Sequence, residues 1–208
     1  MVPFQELALF TLASIALAFA PGPDNIFVLM QSALYGASRG ILVTLGLCTG
    51  LFAHTAAVAL GVAALLEASP TAFNVLKIVG ASYLLYLAYM VFRAGSANFD
   101  DKTQQLPSSF QLYRRGVILN VTNPKVAIFF LAFLPQFANP ENGSMISQML
   151  ILGAVFMLVT LCVFGGIALA AGKVGAWLRN SKKAQIGMNR FAGLVFVLLA
   201  IRLLVSAQ

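Results

Sequence analysis

Apolar positions in this chain gather into six long runs, each close to the roughly twenty residues that a helix needs to cross a hydrocarbon core. They cover Phe4 to about Leu34, Gly40–Leu66, Thr71–Phe92, Tyr113–Phe137, Ile146–Ala171 and Met188–Val205. The pattern predicts an all-α membrane protein with six transmembrane helices. Two of the runs are punctured. The first breaks at Pro21-Gly22-Pro23 and the fourth at Asn123-Pro124. Proline removes a backbone donor and clashes with the preceding turn, and glycine adds backbone freedom, so neither run continues as one helix.

Each break carries a charge. Asp24 follows Pro23, and Lys125 follows Pro124. A polar connection from Ala94 to Gln111 separates the two halves and predicts a flexible linker. The chain then divides as one transmembrane domain into repeat one (1–97), linker (98–111) and repeat two (112–208), with the first helix of each repeat broken. Three spans per repeat is an odd number, so the second repeat enters the membrane upside down. That is the arrangement of inverted-topology repeats, in which broken helices at matching positions mark the binding site. The likeness between halves lies in punctuation, without residue-by-residue identity.

Composition agrees with a lipid environment. The 208 residues are 60% hydrophobic and 9% charged, against about a quarter charged in a typical soluble domain. The net charge of +7 changes meaning once it is located. Ten of the 13 basic residues fall on alternate connections: Arg39; Arg93, Lys102, Arg114 and Arg115; and Lys173, Arg179, Lys182, Lys183 and Arg190. The positive-inside rule places those connections in the cytoplasm and both termini outside. The basic excess is a topology signal, so no nucleic-acid partner is expected. The segment before Ala18-Phe19-Ala20 has Glu6 and no basic residue. The first run is therefore expected to be a retained span rather than a signal peptide.

Candidate chemistry concentrates at the breaks. Aligning Pro23 with Pro124 pairs Asp24 with Lys125 and Gly22 with Asn123. Buried charges in a membrane usually face the bundle interior or a wet cavity. One reading is a site for a zwitterion, in which Asp24 takes an ammonium and Lys125 a carboxylate, helped by exposed N–H groups of the restarting helices. The other is a structural ion pair locking the breaks. Asn25, Asn120, Thr122 and Asn123 either contact substrate or satisfy backbone groups freed by the prolines. His54 shares a helix face with Gly46 and Gly50, small residues that permit close helix approach. It serves either proton coupling or an interhelical hydrogen bond to a carbonyl. Tyr83, Tyr86 and Tyr89 form a stripe expected to pack or to lie at an interface, where Trp177 is also expected, and Arg202 is expected to snorkel. Cys48 and Cys162 lie in apolar runs without paired spacing and are expected to be buried thiols.

Pro21-Gly22-Pro23-Asp24-Asn25, together with Asn120-Val121-Thr122-Asn123-Pro124-Lys125 followed by Phe129-Phe130 and Phe133-Leu134-Pro135-Gln136-Phe137, resembles the LysE/RhtB family of amino-acid exporters. Gly46, Gly50 and His54 are similar to its homoserine/threonine branch. The resemblance covers essentially the whole chain. It implies a bacterial inner-membrane exporter of amino acids (homoserine or threonine, or neutral and branched ones) with no cofactor and the proton gradient as driving force. No nucleophile–base arrangement is visible, so an enzyme is not expected. Two other classes compete. One is an intramembrane thiol–disulfide electron carrier using Cys48 and Cys162, although neither adjoins a break. The other is a metal-ion exporter, for which one His and two separated Cys make a poor ligand set. The amino acid and the oligomeric state, a homo-oligomer included, stay open.

Overall fold

The computed structural model describes residues 2–20, 22–62, 70–93, 107–171 and 181–205. Pro21, Glu67, Lys102, Lys173, Trp177 and Arg179 lie outside those residues, as do the side chains of Lys77, Lys182 and Arg202. Among the described residues eight α-helices follow in order. They are α1 (Phe4–Phe19), α2 (Pro23–Tyr35), α3 (Ala37–Ala57), α4 (Pro70–Arg93), α5 (Ser109–Val121), α6 (Pro124–Ile128), α7 (Met145–Ala170) and α8 (Lys182–Val205). No strand occurs among the described residues.

Local chemistry sets the boundaries. Pro23 and Pro124 each occupy the first turn of the helix they open, where a missing N–H does no harm. α2 and α3 join through the single residue Gly36, whose φ of 91° lies in the region that favours glycine. α5 starts inside the stretch expected to be linker, because Ser108 and Gln111 form a reciprocal capping box with bonds of 3.2 and 2.9 Å. α6 runs on as a π-helical turn over Phe129–Phe133 and a tighter turn over Leu134–Phe137.

Two helical segments, Ala37–Gly61 and Met145–Ala170, are long and apolar enough to cross a membrane alone. Each proline-broken pair, taken as one span, brings the number to four: α1 with α2, bent by 62°, and α5 through Phe137, bent by 48°. α4 and α8, 24 residues each, pack along one another. Their outward faces carry Ile78, Val79, Leu85 and Met90, and Leu194, Leu198, Ile201 and Leu204. So much exposed apolar surface suits hydrocarbon and not water.

The interior has two apolar regions. Phe10, Phe129, Phe130, Phe133, Phe137 and Phe156 form a tight aromatic cluster with ring centroids 4.8 to 6.4 Å apart. Val28, Val43, Leu47, Leu112, Val159 and Phe164 form the second. The expected close approach along α3 is real. A Cβ on Gly46 would lie 2.2 Å from the Tyr113 carbonyl, and one on Gly116 would lie 2.4 Å from the Val43 carbonyl. α3 and α5 therefore cross backbone against backbone. Gly50 meets the Asn120 side chain instead: a Cβ on Gly50 would lie 2.7 Å from both Cβ and Oδ1 of Asn120.

At the far end of α6, buried Gln148 clamps the turn before α7. Its Nε2 donates to the carbonyls of Asn139 and Gly143 at 2.8 and 3.0 Å, and its Oε1 accepts from the Asn139 N–H at 3.2 Å. These contacts predict a graded stability series in detergent. Gly116→Ala, which must push two backbones apart, is expected to lower the thermal midpoint by several degrees. Gln148→Leu, which removes three hydrogen bonds of about 0.5–1.5 kcal/mol each, is expected to do the same. Gly165→Ala, where nothing lies within 4 Å, is expected to leave the midpoint unchanged or raised.

Candidate functional site

A helix that stops inside an apolar bundle leaves its last carbonyls without partners. At the end of α1 they are collected by side chains from beyond both breaks. Asn25 Nδ2 donates to the Ala18 carbonyl. Lys125 Nζ donates to the carbonyls of Leu17 and Ala20 at 3.3 and 3.1 Å. The same ammonium reaches Asp24 Oδ1 at 3.4 Å, across 101 positions of sequence. Asp24 and Lys125 are only 3% and 7% exposed, so the pair is cut off from bulk solvent. Each charge also suits the helix end it meets: Asp24 sits in the first turn of α2, and the Lys125 ammonium sits on the terminal carbonyls of α1.

Gly22 makes room for this contact. Its backbone is extended, with φ −165°, so the demand is for space. A Cβ there would stand 2.8 Å from Asp24 Oδ1 and 3.0 Å from Lys125 Nζ. At the second break Asn123 caps α6, its Oδ1 accepting from the Lys125 N–H at 3.0 Å. Thr122 bonds back to the Ile118 carbonyl at 2.7 Å, which is a backbone-satisfying role.

The expected alignment thus brings Gly22, Pro23, Asp24, Asn25, Asn123, Pro124 and Lys125 to one place. His54 also reaches the second break, by a different route. Its Nε2 lies 3.2 Å from the Asn120 carbonyl, and its ring stands 5.7 Å from that of Phe130. A carbonyl only accepts, so Nε2 carries the proton. This is an interhelical hydrogen bond, and His54 is not among the residues lining the pocket at the ion pair.

That pocket is narrow, with a cavity volume of about 10 Å³, room for roughly one water. Asp24, Asn120 and Lys125 form its polar wall, and Leu17, Ala18, Val126, Phe156, Thr160 and Phe164 form the rest. The α7 side of this wall was not anticipated. Phe156, Thr160 and Phe164 recur every fourth residue, and Thr160 is the single polar residue of that stripe, bonded to the Phe156 carbonyl at 2.8 Å. Gln31 was missed as well. It is buried on the apolar α2, two turns beyond Asp24 on the same side, and that spacing was the available signal. Four buried polar atoms find no partner among the described residues: Asn25 Oδ1, Asn120 Oδ1, Asn123 Nδ2 and Gln31 Oε1. Three of them belong to residues flanking the breaks. Unpaired groups of this kind in a native interior point to water or ligand.

The thiols correct one expectation. Cys48 is buried, with its sulfur 4.0 Å from the Met157 carbonyl, whereas Cys162 is exposed on the outer face of α7. A thiol on the lipid side and one in the interior do not make a redox pair beside the breaks. The tyrosine stripe is largely outward: Tyr86 and Tyr89 are exposed, and Arg93 donates to the Tyr89 hydroxyl at 2.6 Å. Among the described residues no three His, Cys, Asp or Glu side chains gather as a metal site would require.

Removing one partner of a buried ion pair strands the other charge, at about 3–5 kcal/mol. Lys125→Met is therefore expected to destabilise the protein strongly, and Asp24→Asn added to it is expected to restore part of the loss. Gly22→Ala is expected to act in the same direction by forcing the pair apart. A double-mutant cycle on thermal midpoints checks this, and simple additivity of the two substitutions contradicts it.

Comparison with known proteins carries the reading further. Residues 15–207 match the profile described as LysE type translocator. The chain is 33% identical over 205 residues to the homoserine/homoserine lactone efflux protein of Salmonella typhimurium, covering 99% of this chain and 98% of that one. The protein of the same description from Salmonella typhi matches at the same identity and coverage. An uncharacterized membrane protein of Vibrio cholerae is 29% identical over 188 residues, 90% of this chain and 91% of its own. No solved structure matches. With a broken-helix bundle, a charged pair at its two breaks and a profile match over nearly its whole length, this chain belongs to the LysE type translocator family of membrane transporters, and is not an enzyme.

Proposed function

We propose that this protein exports small α-amino compounds, homoserine and its lactone foremost, and that the Asp24–Lys125 pocket is the substrate site. The observation that carries the reading is a buried, opposite-charge pair joining two helix breaks beside a small cavity lined by Asn120, whose amide oxygen has no partner among the described residues. The relatives' names supply a chemical filter. Homoserine is a zwitterion, whereas its lactone has no free carboxylate. What the two share is the α-ammonium on a short four-carbon skeleton. A site accepting both must hold the ammonium, for which Asp24 is the counter-charge, and must tolerate loss of the carboxylate partner offered by Lys125. The wall of Leu17, Val126, Phe156 and Phe164 suits the apolar carbons, and Thr160 offers a hydroxyl to the oxygen function.

The transport cycle follows from the same residues. With the basic connections in the cytoplasm, both termini lie outside and the chain spans six times as two inverted repeats. The pocket then extends along α7 from Phe156 toward Phe164, the cytoplasmic side, while the Phe10–Phe129–Phe133–Phe137 cluster closes the outer side. Export is driven by protons that bind Asp24 or His54. A protonated Asp24 has no charge to offer an ammonium, so proton and substrate exclude one another there. The driving force is the proton gradient across a bacterial inner membrane, without a cofactor.

Overexpression in a bacterial host fed a panel of dipeptides, with export followed for each released amino acid, tests the proposal. Small hydroxylated or neutral amino acids are expected to leave the cell severalfold faster than in an empty-vector strain. Efflux of none contradicts the exporter reading. Efflux that persists unchanged when the membrane is made proton-permeable contradicts proton coupling alone.

A further inference from the structure

The three acceptors around the Lys125 ammonium all come from one place. The Leu17 and Ala20 carbonyls end α1, and Asp24 opens α2. None belongs to α6, the element that carries Lys125. The break between α1 and α2 is therefore a complete three-acceptor seat for a primary ammonium, matching its three N–H donors, and Lys125 enters it from the opposite break. We propose that this seat is an ammonium-binding site in its own right, filled by Lys125 when no substrate is present and by the substrate's own ammonium when one is.

Four observations support the exchange. The ammonium is held at 3.1, 3.3 and 3.4 Å, whereas a tight charge-assisted bond measures about 2.7–2.9 Å. Lys125 thus fills the seat without closing any one bond tightly. Replacing one ammonium by another leaves Asp24 paired throughout, which avoids the large cost of a bare buried carboxylate. Asn120 lines the same pocket with Asp24 and Lys125, and its buried Oδ1 has no partner among the described residues, so it offers an acceptor to the displaced lysine. A zwitterion offers a second acceptor, its carboxylate. Finally, Gly22 leaves open the space beside both Asp24 Oδ1 and Lys125 Nζ that any side chain would fill. The identity of the physiological amine rests on the export reading, but the seat itself does not.

The probe is methylammonium chloride, which carries the ammonium and almost nothing else. Detergent-purified full-length protein is titrated and its thermal midpoint followed, with sodium chloride and tetramethylammonium chloride as controls for ionic strength and for a cation without N–H donors. Lys125→Ala empties the seat, so methylammonium is expected to raise its midpoint saturably. In the wild type, where the lysine competes, and in Asp24→Asn/Lys125→Ala, where the counter-charge is gone, the apparent affinity is expected to be at least tenfold weaker. A Lys125→Ala response no greater than that to the two control salts overturns the proposal, as does an equal response in the double variant. If Lys125→Ala does not fold, Lys125→Met takes its place, since its side chain fills the space of the lysine stem while offering no N–H donor to the seat. Dipeptide-fed export by the wild type is read separately. Protection of Lys125→Ala without any export removes the exporter reading and keeps the seat. Export without protection removes the seat alone.

Discussion

A carbonyl left open in hydrocarbon must find a donor inside the protein, and that demand shapes the centre of this molecule. Two helices stop midway, at Ala20 and Thr122. The first stop exposes α1 carbonyls that only side chains can reach, and the donors that answer are Asn25 and Lys125. Lys125 comes from the second stop, so satisfying the first break requires the second to lie against it. Asp24 then balances the charge that the lysine introduces. The ion pair follows from bringing the two breaks together. Stability and site are consequently one structure, and a variant that alters one alters the other.

The packing around the breaks serves this closeness. α3 approaches α5 backbone to backbone at Gly46 and Gly116, and Gly50 rests on Asn120, one of the residues at the second break. His54 continues the same face and fastens the Asn120 carbonyl. A rigid contact on one side of α5 thus fixes where its chain ends. On the other side the π turn at Phe129–Phe133 carries the phenylalanines that fill the space between α1 and α7. The pocket lies between a firm glycine seam and an aromatic plug, a layout suited to a carrier that opens on one side at a time.

Much of this was legible in the order of residues because its causes are local. Proline at helix starts, glycine at a crossing and charge after each proline are visible without coordinates, and the pairing of Asp24 with Lys125 followed from aligning Pro23 with Pro124. Other features were not legible because their causes are distant. Nothing in α7 reveals that Phe156, Thr160 and Phe164 face a cavity, since that helix is apolar all round and its inward side is chosen by its neighbours. Cys162 illustrates the same point. An apolar run does not say which of its residues face lipid, and this one does. The start of α5 inside the expected linker came from a capping box only four residues long, too small a signal to override the polar stretch around it.

Asp24 and Lys125 join two helices, and the export proposal has them hold the substrate as well. Counterflow of labelled homoserine in liposomes containing Asp24→Asn or Lys125→Met, compared with wild type at equal amounts of folded protein, addresses it most directly. Asp24→Asn is expected to abolish counterflow of both homoserine and its lactone, whereas Lys125→Met is expected to impair homoserine more than the lactone. Full transport by both variants would contradict it and place the substrate elsewhere in the bundle.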